Sequence, residues 1–450
     1  MTDTTNNHRR LMRRMFDAAV AAAHPADALP PHLPKLAEGE QLVVVGAGKA
    51  AAAMAAVTEA HYRAAGQADQ ISGEVVTRHG YSLADADATR TTVREAAHPT
   101  PDAASYEASA AALARVASAP GDATILVLLS GGASSLWTGH PPGIPREAYL
   151  ELTKALHDSG ATIGEFNTVR KHLSSISGGR LAVQAAPRRC LTLAISDVAG
   201  DDPSDIGSGP TVPDPTTLAD AAAVLRKYDI APAAPIAMAL TQASNETPKP
   251  GDARFGAAEY TLVATPAMSL AAGAEIARAA GYAVEVLGDA VIGEAREVAA
   301  AHATRARELL HDGKKVALLS GGELTVDRAG AKTVGAAGGP NQEYALALAA
   351  ALGDAAAGLP PAAAHKIFAL AGDTDGADGG SGAADDPAGA FVDGKTLTRA
   401  CTAGRDPSED LARHDSTGFF AAAGDLLVTG PTQTNVNDFR VILVDPGAAA

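Results

Sequence analysis

Three stretches of this chain place charged and hydroxyl side chains where phosphate or carboxylate chemistry could be done. Gly46-Ala47-Gly48-Lys49-Ala50-Ala51 follows an apolar run, Leu42–Val45, and opens an Ala-rich helix. Amides at such a strand-to-helix turn point at an anion, and the helix dipole favours negative charge there. A lysine in the first helical turn opposes that dipole, so an anionic ligand gives Lys49 a reason to be there; an exposed lysine is the plain alternative. The stretch is not a Walker A loop, because Val43 stands where the first glycine should be and Ala50 where Ser or Thr is required. Ser130-Gly131-Gly132-Ala133-Ser134-Ser135 gathers amides and hydroxyls in one turn. Such a nest can hold a carboxylate or phosphate, or the serines can simply cap a helix. Asn167-Thr168-Val169-Arg170-Lys171-His172 concentrates positive charge beside Ser177-Gly178-Gly179-Arg180. Arg170 has the fork that grips a carboxylate or phosphate; a solvated basic helix face is the alternative.

Two Asp-, Gly- and Pro-rich segments, Ser196–Thr217 and Gly372–Thr396, supply carboxylates after short apolar runs. Neither has the spacing of a calcium loop, but magnesium is commonly held by one or two carboxylates together with substrate phosphates. Asp197, two residues beyond its strand, is the candidate for a role at a reacting hydroxyl, and Asp197 and Asp373 are the candidate metal ligands. For the later Asp residues of each segment, Asp201, Asp202 and Asp205 in the first and Asp375 and Asp378 in the second, turn chemistry is the better reading.

These residues must be positioned by a scaffold, and the rhythm of strand, Gly-rich turn and helix says which. Leu42–Val45, Ile125–Leu129, Leu191–Ile195, Leu262–Ala264, Ala283–Leu287, Val316–Leu319 and Ile367–Leu370 read as short apolar strands. Met268–Ala280 and Glu294–Leu310 read as helices. Fully apolar strands alternating with helices indicate buried parallel sheets covered on both faces. At 450 residues the chain exceeds one hydrophobic core, which stops growing near about 250–300 residues. The polar stretch Asn245–Arg254 is the candidate linker, giving domains 1–250 and 251–450. Leu-Leu-Ser-Gly-Gly occurs twice, at Leu128–Gly132 and Leu318–Gly322, as two domains of related build would produce. The segment Thr429–Asp438 crowds hydroxyls and amides before a strand, Phe439–Val444, and could line a cleft or form a polar hairpin.

Composition narrows the partners. With 36 basic against 52 acidic residues the net charge is −16, which disfavours nucleic acid and anionic membrane surfaces. No apolar run nears the about 20 residues of a spanning helix, and the N-terminal stretch, interrupted by Asp17, reads as a surface helix. The two cysteines, Cys190 and Cys401, suit a reduced, cytoplasmic protein.

Taken together the motifs resemble the type II glycerate kinase family, whose C-terminal part is the MOFRL domain. The resemblance rests on GAGKAAAAMA (Gly46–Ala55), HPTPDAAS (His98–Ser105), LLSGGASSL (Leu128–Leu136), FNTVRKHLSSISGGRLA (Phe166–Ala182), SDVAGDDPSDIGSGPTVPDPTT (Ser196–Thr217), LLSGGELTV (Leu318–Val326), GGPNQEYALALA (Gly338–Ala349), GDTDGADG (Gly372–Gly379) and TGPTQTNVND (Thr429–Asp438), in family order. It implies two Rossmann-like α/β/α domains with largely parallel sheets and an active-site cleft between them. It implies an ATP-dependent, magnesium-requiring kinase that phosphorylates the 2-hydroxyl of D-glycerate, with small molecules as partners and compatible with a homodimer. On that reading Lys49, Asp197 and Arg170 are catalytic. Gly48, Ser130, Gly131, Gly132, Ser134, Lys171, Ser208, Gly209, Thr211, Gly322, Glu323, Asn341, Asp373 and Asp375 bind substrate or nucleotide. The chain departs from the family pattern at Ser177, where a lysine is common, at Pro340, where an arginine is common, and at His414, where an asparagine is common. Two other readings stand beside the kinase. One is a nicotinamide-dependent hydroxypyruvate reductase, because Gly46–Ala51 also fits a dinucleotide fingerprint with Ala51 in the third glycine position, although Glu74 lies beyond the place of the expected acid. The other is a non-catalytic ligand-binding regulator, for which Pro340 speaks.

Overall fold

The apolar run after the first polar loop becomes a strand buried at every position, and two similar runs flank it on one side of the sheet. The computed structural model describes residues 3–83, 90–327, 337–353, 365–379 and 385–448. The chain forms two compact units, Pro25–Val263, the central unit, and Ala264–Ala450 with Met1–His24, the C-terminal unit. The expected linker Asn245–Arg254 therefore lies inside the central unit. It is tied down there: Asp214 N–H donates to the Pro248 carbonyl at 2.9 Å, and Thr247 Oγ1 donates to Asp214 Oδ2 at 3.0 Å.

The central unit holds strands β1 (Leu42–Ala47), β2 (Ile71–Arg78), β3 (Thr91–Ala96), β4 (Thr124–Leu129), β5 (Cys190–Ile195) and β6 (Ala258–Ala264) in the order β3-β2-β1-β4-β5-β6. Each pairing from β3 to β5 is parallel. The strand order reverses between β1 and β4, the place where open α/β sheets bind ligands beyond their carboxyl ends. β1, β4 and β5 are buried on both faces, which is why they read as unbroken apolar runs. Val43, Val45, Ile125 and Val127 pack on Ala108, Ala112 and Val116 of the helix Ala103–Ala117, whose start is fixed by an Asp102–Ser105 capping box.

The C-terminal unit departs from the expectation of largely parallel strands while remaining α/β. Its sheet contains β7 (Ala283–Gly288), β9 (Val316–Ser320), β11 (Ile367–Asp373), β12 (Gly389–Val392), β13 (Leu426–Leu427) and β14 (Asp438–Val444), in the order β13-β12-β11-β14-β9-β7. Only β7–β9 is parallel; the other pairings are antiparallel, because the last strand inserts between β11 and β9 and runs against both. A separate short pair joins β8 (Gly293–Glu294) to β10 (Leu324–Thr325). Alternation along the strands makes two cores. Phe368, Leu370, Phe439, Val441 and Leu443 face one layer, and Ile367, Ala369, Ile442 and Val444 face the other, with the helices Ala295–His311 and Pro340–Gly353.

The N-terminal helix Asp3–Ala23 is not merely a surface helix. Met12, Met15, Phe16 and Ala19 form an i, i+3, i+4, i+7 stripe buried against Leu270, Ala274 and Ala277 of the helix Pro266–Ala279. Ser269 Oγ donates to the Ala19 carbonyl at 2.8 Å. No helix among the described residues is long and apolar enough to cross a membrane.

Candidate active site

Parallel pairing sets the carboxyl ends of β1, β4 and β5 side by side, with Ala47 opposite Leu129 and Leu129 opposite Ala194. The turns that follow carry Gly48-Lys49, Ser130-Gly131-Gly132 and Ser196-Asp197. Lys49 and Asp197 are both half-buried. The amides expected to face an anion after β1 are already committed. Gly48 N–H donates to the Val76 carbonyl at 3.1 Å, Lys49 N–H to the Gly131 carbonyl at 2.8 Å, and Ala50 N–H to Ser130 Oγ at 2.9 Å. The reason is close approach. Gly48 sits at φ 135°, and a Cβ there would lie 2.1 Å from Ser130 Oγ. The glycines of this turn thus serve contact between neighbouring strands, which leaves the Lys49 side chain as its functional group.

The Gly207-Ser208-Gly209 turn holds three successive residues at φ of 59°, 58° and 60°. A left-handed serine is uncommon, and such strain clusters where a side chain must be aimed. Ser208 is fully buried. Its Oγ lies 2.8 Å from Ser134 Oγ, accepts from Arg170 Nη1 at 3.3 Å and donates to Asn167 Oδ1 at 3.3 Å. Asn167 Nδ2 in turn donates to Asp205 Oδ1 at 2.9 Å. Below, the Ser208 and Gly209 carbonyls accept from Gly178 N–H at 3.0 Å and Gly179 N–H at 2.7 Å, so two glycine turns interlock.

Arg170 is the centre of this arrangement. It rides the helix Ile163–His172, with the Phe166 ring of the preceding turn 4.5 Å from its guanidinium carbon. Tyr149 lines the same cavity as the guanidinium. No carboxylate among the described residues forms an ion pair with it, and burial pulls its pKa down. A cavity of about 540 Å³ opens beside it, walled by Ser134, Ser135, Thr138, Thr100 and Tyr149. Arg170 and Ser134 therefore share a cavity, with Ser208 bonded to both. Lys49 and Asp197 stand at the neighbouring strand ends without lining it.

Other expected site residues lie away from that cavity. Lys171 is 4% exposed and lies 3.7 Å from Asp214 Oδ1, because it points from the opposite face of the Arg170 helix into the interior. Thr211 is buried and accepts from Thr192 Oγ1 at 2.7 Å. In the C-terminal unit Asn341 is buried, its Nδ2 donating to Asp438 Oδ1 at 2.6 Å and Asp378 Oδ1 at 3.3 Å. Asp373 Oδ1 accepts from Asp375 N–H, and buried Asp375 accepts from Ala377 N–H, both at 2.9 Å, as Asx turns do. Gly322 is held at φ 94° against the Val291 backbone, and Glu323 beside it is exposed. Among the described residues no group of three or more His, Cys, Asp or Glu side chains could hold a metal. A single half-buried carboxylate at Asp197 still suits a magnesium ion that arrives on substrate phosphates.

The three departures also find physical places. Pro340 opens the helix Pro340–Gly353, where a proline's missing N–H costs nothing. His414 Nδ1 lies 3.2 Å from Glu343 Oε1 and 3.1 Å from Arg296 Nη2. Ser177 is buried, its N–H donating to Ser174 Oγ at 3.0 Å. Sequence reasoning missed Tyr149 and Phe166. Phe166 carried a signal, standing four residues before Arg170 on one helix face; Tyr149 comes from another helix and carried none.

The fold is that of an α/β protein, and its candidate site sets an arginine and a cluster of hydroxyls beside a cavity. Residues 11–241 match the family described as "Domain of unknown function (DUF4147)", and residues 316–438 match the MOFRL family. A protein of Agrobacterium vitis named "Putative hydroxypyruvate reductase" is 46% identical over 99% of this chain and 96% of its own length. The D-glycerate 2-kinase of Thermotoga maritima is 36% identical over 97% of this chain and 98% of its own length. The crystal structure of glycerate kinase from Thermotoga maritima superposes with a TM-score of 0.83 at 34% identity, covering 98% of this chain and 100% of that one. The chain belongs to the glycerate kinase family with a C-terminal MOFRL domain, and it is an enzyme.

Proposed function

We propose that this enzyme transfers the γ-phosphoryl group of ATP to the 2-hydroxyl of D-glycerate, giving 2-phosphoglycerate and ADP. The observation that carries this reading is Arg170, a half-buried guanidinium with hydroxyl and aromatic neighbours but no carboxylate partner among the described residues, facing a cavity. Such a cation is left for a ligand carboxylate, which it can meet in a two-pronged geometry. Ser134 and Ser208 would orient the hydroxyls of the three-carbon acid. Phosphoryl transfer asks mainly for positioning and for neutralising charge on the transferring group. Lys49 would supply positive charge to the phosphoryl oxygens. Asp197 would align the 2-hydroxyl and accept its proton as the new oxygen–phosphorus bond forms and the bond to the ADP oxygen breaks. Magnesium, when bound with the nucleotide, would meet Asp197 and offset phosphate charge.

The reductase reading has two observations behind it, the name of the Agrobacterium relative and a strand order identical to that of dinucleotide-binding sheets. Two others weigh against it. The amides that would cradle a pyrophosphate are committed to Val76, Gly131 and Ser130. Glu74 is engaged by Arg94 Nε at 2.6 Å, and β2 ends on Arg78 instead of an acid. One assay decides. With D-glycerate and Mg-ATP, stoichiometric ADP and a phosphate ester on C2 by ³¹P NMR are expected, with no absorbance change on adding NAD⁺ or NADP⁺. Nicotinamide reduction without ADP release would replace the kinase reading with the reductase.

A further inference from the structure

A second cavity, of about 870 Å³, opens on the central unit, away from Arg170. Its walls are the helices Ala103–Ala117 and Arg180–Ala185 and the polar strap 244–254. On the strap, Lys249 Nζ lies 2.5 Å from Glu246 Oε1, and Arg254 Nη2 lies 2.5 Å from Asp252 Oδ2. Arg180 has no such partner among the described residues. Its Nη2 donates to the Asn245 carbonyl at 2.6 Å, and its buried Nε donates to nothing. The wall thus carries three basic side chains against two acidic ones, and Arg180 is the basic one without an ion pair, with the carboxylates of Glu246 and Asp214 acting on it from further off.

This wall is joined to Ser208 through the interlocked turns. Gly178 and Gly179, which hold the Ser208 and Gly209 carbonyls, are covered from the other side by the strap. A Cβ on Gly178 would meet Thr247 Cγ2 at 2.8 Å, and one on Gly179 would meet Phe255 Cζ at 2.6 Å. Thr247 lines the cavity, and Phe255 follows directly on cavity-lining Arg254. Displacement of the strap therefore presses on the turn that aims Ser208, because close-packed neighbours transmit strain.

We propose that this cavity binds a small oxyanion, a carboxylate or a phosphate monoester, through Arg180, and that its occupancy adjusts how firmly Ser208 and Arg170 hold the substrate. The binding half stands by itself; the adjusting half rests on the kinase reading. Titration calorimetry on the full chain, with malonate in one arm and inorganic phosphate in the other, distinguishes the two anion classes. Saturable binding of at least one is expected, retained in Arg170→Gln and weakened at least about tenfold in Arg180→Gln. Ala117→Glu, at an exposed helix position on the cavity wall, sets a carboxylate at the mouth and is expected to weaken binding as well, so the test survives if Arg180→Gln does not fold. The bound anion is expected to shift the KM for D-glycerate at least about twofold in the wild type and not in Arg180→Gln. Absence of saturable binding in both arms, or unchanged binding in Ala117→Glu, overturns the site. Loss in Arg170→Gln with retention in Arg180→Gln places the anion in the substrate cavity and equally overturns it. Binding with no KM shift overturns the adjusting half, whereas a chain without kinase activity that still binds the anion fails the kinase reading alone.

Discussion

The same five residues, Leu-Leu-Ser-Gly-Gly, carry the chain out of β4 in the central unit and out of β9 in the C-terminal unit, and the two copies do different things. After β4 the neighbouring strand β1 runs parallel, so its exit turn arrives at the same end. Ser130 Oγ then accepts from Ala50 N–H and the Gly131 carbonyl from Lys49 N–H, and the turn presents a lysine. After β9 the neighbour is β14, antiparallel, so what arrives is that strand's beginning. Ser320 Oγ accepts from Arg440 Nε at 3.1 Å, the Gly321 carbonyl from Arg440 Nη2, and the Gly322 carbonyl from Asp438 N–H at 3.1 Å. Arg440 is 1% exposed and its Nη1 lies 2.5 Å from Asp438 Oδ2. Strand direction, not the pentapeptide, decides whether the turn meets the Lys49 loop or a buried ion pair. The two sheets are accordingly not copies of one topology, contrary to what the repeat suggested.

Substitutions can break this contrast in either unit. Arg440→Met should cost about 3–5 kcal/mol of stability, because it leaves Asp438 charged and buried without its partner. Hydrogen exchange of β11 and β14 under mild urea checks it; unchanged protection would show that the ion pair is dispensable. Arg170→Met should leave that protection intact and lower kcat/KM for D-glycerate about 100-fold, or ~2.7 kcal/mol, mostly through KM. An unaltered KM would remove Arg170 from carboxylate binding. Lys49→Ala should lower kcat at least about tenfold, or ~1.4 kcal/mol, with little change in KM for D-glycerate. Near-normal turnover in that variant would reduce the turn after β1 to a packing device.

Much of this contrast was open to a reader of the sequence, though not its cause. The buried strands β1, β4, β5, β9 and β11 show as apolar runs because both faces of each are covered. β2 and β3 do not, since Gly73, Glu74, Arg94 and Glu95 interrupt them, and pairing with β1 rather than local pattern makes β2 a strand. Strand direction is a non-local property, which is why a repeated pentapeptide looked like a repeated domain. At the site, Arg170 and Ser134 stood out by residue type, yet the arginine next in line, Arg180, belongs to another cavity, and Lys171 turns inward to Asp214. Helical spacing accounts for Lys171, one residue being enough to change face. The loop after β1 illustrates the opposite error: its glycines fit an anion cradle, and only the approach of Ser130 shows what they are for.

A pH-dependent effect concerns a second buried carboxylate in the C-terminal unit. Asp378 Oδ1 accepts from Asn341 N–H at 2.9 Å and Oδ2 from Gln342 N–H at 2.8 Å, at the start of the helix Pro340–Gly353. Burial nevertheless pushes its pKa up to about 7, with Asp438 adding to the rise. An unfolded aspartate titrates near about 3.9. Between those values the folded chain holds a proton that the unfolded chain has released, so this group's contribution is full below about pH 4 and fades as pH rises through about 7. The stability difference between wild type and Asp378→Asn should therefore move against the wild type from pH 5 to 7.5 and level off above pH 8. A difference that stays flat across that range would mean Asp378 is ionised throughout, held by the two amides. The same titration on Arg170→Met should reproduce the wild-type slope. A changed slope there would mean that the titration of the buried acid in one unit is coupled to Arg170 in the other.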